Sequence, residues 1–328
     1  MDARLIKPAA VVRLASREWQ VIGLIVLATT VCVIGLFWPT VESLVAAWSS
    51  SRTFAHGFLM LPVTGYLVWC CRQAWLPLTP EPSAWGVVAL SAIGAAWLVG
   101  HRLNLIWLEQ LAVIASLPGL VWTLLGTTIA RAISWPLGLL IFMLPVGTSI
   151  EPWLQDFTTL FILGGLRLVD VPYLIQEYRI TIASGTWEVA PDCGGLRYLL
   201  PGLALSYAFA TLVYQQPVRR FTFLGISAVI LMIANGIRAY GIIMGDYMGV
   251  AEGADHRIFS YTIYGLTMPL LFWCALRWEE TKNVVFLGSS ANSDRGSHVM
   301  KQAAVMALVS LSVLAIAPLS VQLWGFTP

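Results

Sequence analysis

Three residues of this 328-residue sequence carry side chains suited to chemistry in surroundings that would use them: Cys193, Arg238 and His256. A thiol is a nucleophile, a guanidinium holds a developing oxyanion or a carboxylate, and an imidazole with a pKa of about 6.5 exchanges protons near neutrality. Together they suit acyl transfer through a thioester. Cys193 sits in Val189-Ala-Pro-Asp-Cys-Gly-Gly-Leu-Arg-Tyr. Gly194 and Gly195 would let a substrate backbone come close and free amide groups to face a bound oxygen. A free thiol with a pKa of about 8.5 is mostly protonated at neutral pH, so it needs activation. A helix starting at Cys193 or soon after, with Arg197, Arg238 or a protonated His256, would supply it; Asp192 opposes it unless that carboxylate is paired or caps the helix.

Each residue also has a plainer reading. Arg238, in Ala234-Asn-Gly-Ile-Arg-Ala-Tyr, lies on an apolar run, where an arginine costs roughly 2.5–3.5 kcal/mol. A polar cavity would justify that cost, and a side chain snorkelling to the interface would avoid it. The residues alone weigh the two evenly. His256 follows Asp255 at the mouth of the next apolar run, where an ordinary interface histidine is the commoner case. His56, in Arg52-Thr-Phe-Ala-His-Gly, falls on the same face, while His101 and His298 carry only the ordinary reading.

The chain that must position these groups is 58% hydrophobic and 11% charged, with a mean hydropathy of +0.77. Such a composition belongs to a polytopic membrane protein, and a net charge of +2 without a basic stripe excludes a nucleic-acid partner. No Gly-rich phosphate loop, metal-spaced His/Cys cluster or Gly-x-Ser-x-Gly elbow is present, so neither cofactor nor metal is expected. Cys32, Cys70, Cys71 and Cys274 lie in or at the ends of apolar runs as packing residues, leaving Cys193 as the thiol of a polar segment and no disulfide staple.

The apolar runs predict an all-α polytopic transmembrane helical bundle of about nine spans: Trp19–Trp38, Phe54–Cys71, Ala84–Gly100, Leu105–Gly126, Ala132–Gly147, Gly195–Tyr214, Phe221–Gly245, Ile258–Trp278 and Ala303–Trp324. Trp19, Trp38, Trp69, Trp85, Trp278 and Trp324 fall at span edges, as indole rings do at the interface. The leader carries Arg4, Lys7, Arg13 and Arg17, which sets the N-terminus in the cytoplasm, and no cleavable signal peptide is apparent. The apolar stretch Trp153–Val169 is interrupted by Asp156, Thr158, Thr159 and Arg167 and is expected to be an amphipathic helix on the outer face. Alternation then places the Gln215–Arg220 loop inside and the segment Asp170–Asp192 outside. Tyr178-Arg-Ile-Thr-Ile-Ala and Gly185-Thr-Trp-Glu-Val alternate like a short hairpin ahead of Cys193. Cys193, Arg238 and His256 converge on the extracytoplasmic face. Residues 1–278 form the membrane core, 279–302 a polar cytoplasmic linker and 303–328 an additional C-terminal transmembrane helix.

The same residues resemble a known family, the exosortases, and within it the exosortase A type. Ser51-Arg-Thr-Phe-Ala-His-Gly-Phe-Leu is similar to that subgroup's opening signature, and Cys193-Gly-Gly-Leu-Arg-Tyr to the nucleophile motif. Asn235-Gly-Ile-Arg-Ala-Tyr, followed by Asp255 and His256, resembles the Arg and His motifs in order and spacing. The resemblance implies a multi-pass cysteine protease and transpeptidase of the bacterial inner membrane, with its active site facing the periplasm. Its substrates would be exported proteins ending in a PEP-CTERM signal, and its setting exopolysaccharide and envelope biogenesis. Mapped by motif, the catalytic residues are Cys193, Arg238 and His256, with Arg197, Gly194, Gly195, Asn235, Asp255 and His56 supporting them or binding substrate.

Departures are visible. Gly194 stands where the commoner motif has Ser, and Ser260 and Tyr261 stand where the subgroup often shows Gly-Trp. Many relatives carry a soluble C-terminal extension; if that domain is needed here, a separate soluble periplasmic partner domain must supply it. The expected partners are therefore PEP-CTERM-type proteins, the lipid bilayer and such a domain. Two other classes stay open: a membrane transferase for glycan or lipid intermediates, which needs no thiol, and a transporter in which Arg238 binds an anion near the midplane.

Overall fold

The computed structural model describes residues 8–249, 256–278 and 293–323. In chain order the helices are α1 (Pro8–Leu36), α2 (Trp38–Ser50), α3 (Gly57–Cys70), α4 (Arg72–Trp75), α5 (Ala84–Arg102), α6 (Ile106–Leu125), α7 (Thr127–Ala132), α8 (Ser134–Gly138) and α9 (Glu151–Leu168). Strands β1 (Leu174–Gln176), β2 (Arg179–Ile182) and β3 (Gly185–Glu188) come next, then α10 (Leu196–Val213), α11 (Pro217–Tyr247), α12 (His256–Leu276) and α13 (Ser293–Leu323). The protein is an all-α polytopic membrane bundle carrying one small sheet. Among the described residues, seven helices are long and apolar enough to cross a bilayer, lying within α1, α5, α6, α10, α11, α12 and α13.

Two expected spans fall short for physical reasons. The apolar run at Phe54–Cys71 forms a helix of only 14 residues, Gly57–Cys70. At 1.5 Å per residue it reaches about 21 Å, against a hydrocarbon core of about 30 Å. The run Ala132–Gly147 is broken: α8 gives way to a 3₁₀ turn over Leu139–Met143, then Leu144 turns extended (ψ 122°) ahead of Pro145 and Gly147 takes a left-handed φ of +114°. A residue before proline is driven out of the helical region, which accounts for the break. Joined across it, Ser134–Met143 and Thr148–Leu168 would make an eighth span. The stretch expected as an amphipathic helix is indeed helical, as α9, with Leu154, Ile162, Leu163 and Leu166 buried and Trp153, Leu160 and Leu168 exposed. Positions 279–292 of the expected linker lie outside the described residues, and α13 begins at Ser293.

The chain divides into two compact units. The first comprises residues 1–47, 57–144 and 283–328. In it α5 packs on α6, and α13 on α1 and α5, around Val33, Phe37, Leu90, Trp97, Leu120 and Leu314. His101 has a carboxylate neighbour here: its Nδ1 lies 3.5 Å from Glu109 Oε1 and its ring stacks on Trp97.

The second unit comprises residues 48–56 and 145–282. Its hairpin is a three-stranded antiparallel sheet ordered β1-β2-β3. Period-two alternation buries Ile180, Ile182 and Val189 against Ile162, Leu163 and Leu166 of α9 and Ala239, Ile243 and Met244 of α11. Arg179, Thr181, Thr186 and Glu188 fall on the opposite face, where Arg179 pairs with Glu188 at 3.3 Å and the Thr181 and Thr186 hydroxyls meet at 3.1 Å. Tyr178 fastens the sheet to α9 by donating its hydroxyl to Asp156 Oδ1 at 3.0 Å, a bond that raises the phenol's pKa above its ordinary value.

Candidate active site

Cys193 closes a 3₁₀ turn, Pro191–Cys193, that leads out of the sheet. Its N–H donates to the carbonyl of Ala190 at 2.8 Å and the Gly194 N–H donates to Pro191 at 3.0 Å. Gly195, at φ +104°, then reverses the chain so that α10 begins at Leu196. The helix therefore starts after the glycine pair rather than at the thiol. Of the two glycine amides, that of Gly194 is taken, while those of Gly195 and of Leu196 and Arg197 in the first turn of α10 have no acceptor among the described residues. Cys193 is half-buried and packs against the cluster of α9, α11 and sheet residues.

The turn is held by Asn235 of α11, which is buried (2% exposed). Its Nδ2 donates to the carbonyl of Cys193 at 3.0 Å and to Thr158 Oγ1 at 3.0 Å. Its Oδ1 accepts from Arg238 Nε and from the Tyr264 hydroxyl, each at 3.3 Å. An amide offers two donors and one doubly accepting oxygen, so its capacity is filled and its orientation fixed. Thr158, fully buried on α9, in turn donates to the carbonyl of Gly194 at 3.4 Å, and Gln155 Nε2 holds the carbonyl of Val189 at 2.9 Å. Two polar residues of α9, Thr158 among those that interrupt its apolar run and Gln155 beside them, thus secure the thiol's turn.

Arg238 stands one helical turn beyond Asn235 and is 6% exposed. Its Nη1 donates to Ser260 Oγ at 3.3 Å, and its guanidinium carbon lies 5.4 Å from the centre of the Tyr198 ring. Tyr198 stacks on Tyr264 at 4.1 Å, so an aromatic floor from α10 and α12 supports the guanidinium. Among the described residues no carboxylate pairs with it. A buried arginine normally has such a partner, because desolvating a cation without one is costly. Among the described residues the rest of its donor fork has no acceptor, which suits it to an incoming carbonyl oxygen or carboxylate.

Not every expected residue joins this cluster. Arg197 lies 5.9 Å from the Tyr198 ring centre and makes no hydrogen bond to the Cys193–Asn235 group. His56 belongs to the same compact unit, with Nδ1 3.0 Å from the Thr53 carbonyl oxygen. His256 opens α12 four residues before Ser260, but its side chain, like that of Asp192, lies outside the described residues, and so does all of Asp255. Thr158, Gln155, Tyr198, Ser260 and Tyr264 were not among the expected site residues. Ser260 and Tyr198 could have been found: one is a departure from the subgroup pattern and the other closes the nucleophile motif.

The glycine pair makes a sharp prediction. A Cβ on Gly195 would sit 2.8 Å from Asn235 Cγ and Nδ2, at a positive φ that costs an L-residue about 1–3 kcal/mol. Gly195→Ala is expected to lower both thermal stability and processing, the latter at least about tenfold. Gly194 has ordinary helical torsions, and its Cβ would meet Gln155 Cγ and the Pro191 carbonyl at 3.2 Å. Gly194→Ser carries no such backbone strain and should cost less than Gly195→Ala, on the order of 1 kcal/mol. Thermal unfolding and processing assays on the two variants, side by side, check the contrast.

No curated protein and no solved structure matches the chain. A family model described as transmembrane exosortase matches residues 48–273, a range that takes in all of the cluster around Cys193 and well over half of the sequence. On that match, the chain belongs to the transmembrane exosortase family.

Proposed function

We propose that this protein is a membrane-embedded cysteine peptidase and transpeptidase that cleaves C-terminal PEP-CTERM sorting signals at the periplasmic face of a bacterial inner membrane. Family membership supports the class of reaction. The observation that carries the assignment of residues is the single amide of Asn235, bonded at once to the Cys193 carbonyl and to Arg238 Nε. It holds a thiol-bearing turn and a buried guanidinium, which has no carboxylate partner among the described residues, in one frame.

In the proposed reaction the Cys193 thiolate attacks the scissile carbonyl carbon, forming a C–S bond and an oxyanion. The Gly195 amide and Arg238 stabilise that charge. The C–N bond breaks as His256 gives a proton to the departing amine, leaving a thioester on Cys193. Water or an amine of the cell envelope then attacks the thioester and passes its proton to His256. The C–S bond breaks, the thiolate returns, and the product is a free acid or a new amide.

The test uses the full chain in membranes with a reporter protein ending in a PEP-CTERM signal. The reporter should be shortened, and a membrane-impermeant maleimide added from the periplasmic side should stop this by modifying Cys193. Shortening that continues with Cys193 fully alkylated would exclude the thioester route and favour a transferase or transporter.

A further inference from the structure

The sheet ahead of Cys193 has an unused edge, and its register shows which backbone groups lie along it. Val189 N–H donates to the Tyr178 carbonyl at 2.9 Å, and β2 and β3 pair as Ile180↔Trp187 and Ile182↔Gly185. Antiparallel pairs alternate between bonded and non-bonded, so Trp187 and Gly185 spend their N–H and C=O groups on β2. The short Thr181–Thr186 and Arg179–Glu188 side-chain contacts are those of the closer, non-bonded pairs. Thr186 and Glu188 therefore direct their backbone groups away from β2. Since β3 is the last strand of the sheet, those groups have no strand to pair with among the described residues. The Glu188 carbonyl accepts from Ala190 N–H at 3.0 Å, leaving the Thr186 N–H and C=O and the Glu188 N–H.

We infer that the edge of β3 binds the peptide substrate as an added strand, pairing with Thr186 and Glu188 and so delivering the scissile bond to Cys193. The inference rests on the proposed peptidase reading. The edge leads straight to the nucleophile, since Cys193 follows Glu188 by five residues through Val189, Ala190 and the 3₁₀ turn. Both ends of that connection are clamped. Gln155 holds the Val189 carbonyl and Asn235 the Cys193 carbonyl, so strand and thiol keep one geometry. The buried face of the sheet, anchored through Ile180 and Trp187, makes the edge rigid enough to act as a template. Strand addition takes affinity from main-chain bonds and specificity from alternate side chains. Such a site accepts an extended segment free of helix, which is the form a peptidase needs at the bond it cuts.

The test uses a synthetic peptide carrying a sorting signal that the full-length protein cleaves in a Cys193-dependent manner. Each amide within about six residues of the scissile bond is N-methylated in turn, and KM is measured for each analogue. Edge pairing predicts a period of two: alternate positions raise KM roughly tenfold and those between change it little. In the protein, Thr186→Pro removes an outward N–H that β2 does not use, and should raise KM for the unmodified peptide by a similar factor with kcat little altered. A uniform or aperiodic N-methyl profile, with cleavage still dependent on Cys193, overturns strand pairing while leaving the peptidase assignment standing. Cleavage of the unmodified peptide that survives loss of the thiol overturns both.

Discussion

Cys193→Ala should abolish processing, by ~10⁴-fold or more, in a protein that folds as the parent does. The separation of the two effects follows from how the residue is held. The hydrogen bonds that place it run through its backbone, to Ala190 and from Asn235, and neither involves sulfur. Replacing the thiol by hydrogen deletes one half-buried heavy atom from the edge of an apolar cluster, a loss of about 1 kcal/mol. Cys193→Ser should be nearly as inactive, since a hydroxyl there lacks the acidity that makes a thiolate accessible. Reporter size, protein level in membranes and thermal unfolding, measured together on both variants, decide the matter. Full processing by a stably folded alanine variant would end the thioester scheme.

Much of this arrangement was legible in the sequence because it is written locally. Long apolar runs declare membrane helices whatever packs around them, and seven helices of the structure answer to them. The Cys193 segment shows itself by composition, a cysteine followed by two glycines in a polar connection between apolar runs. The failures are equally physical. Ala132–Gly147 has the hydropathy of a span, but hydropathy does not register the torsions that proline imposes on Leu144 or the left-handed turn at Gly147. The strand β1 is only three residues long and exposed throughout, so it has no alternation to betray it.

The polar residues of α9 are the most instructive. Asp156, Thr158 and Thr159 look like interruptions of an apolar helix. Yet Thr158 and Thr159 are buried, and Thr158 with Gln155 faces the thiol's turn. A polar residue in an apolar helix is expensive unless it has a partner, and for Thr158 and Gln155 the partners are backbone carbonyls of a segment more than thirty residues away. No reading of local period shows a partner at that separation. Asn235 lay in a recognisable motif, but its role as the joint between Cys193 and Arg238 depends on three helices meeting, as does the Tyr198–Tyr264 floor.

Arg238 invites the other large effect, and here activity and stability should move apart. If the guanidinium is present to bind substrate charge, Arg238→Gln lowers kcat about 10²–10³-fold, the loss expected on removing a principal oxyanion or carboxylate donor. The same change should leave thermal stability unaltered or raise it. The arginine is 6% exposed, has no carboxylate among the described residues, and is compensated by two hydrogen bonds at 3.3 Å and an aromatic ring. Holding a cation there costs more than those contacts return, so neutralising it relieves the fold. Asn235 is not orphaned by the substitution, because its Oδ1 keeps the Tyr264 hydroxyl. Arg238→Lys keeps the charge but loses the planar fork, and an ammonium on a single stem does not reproduce the pair of bonds to Asn235 and Ser260; it should recover only a small part of the rate. Unfolding temperature and kcat, determined on the same preparations, separate the alternatives. A fall in unfolding temperature that accounts for the whole loss of activity would make Arg238 a structural residue and leave the oxyanion to the amide of Gly195 and the first turn of α10.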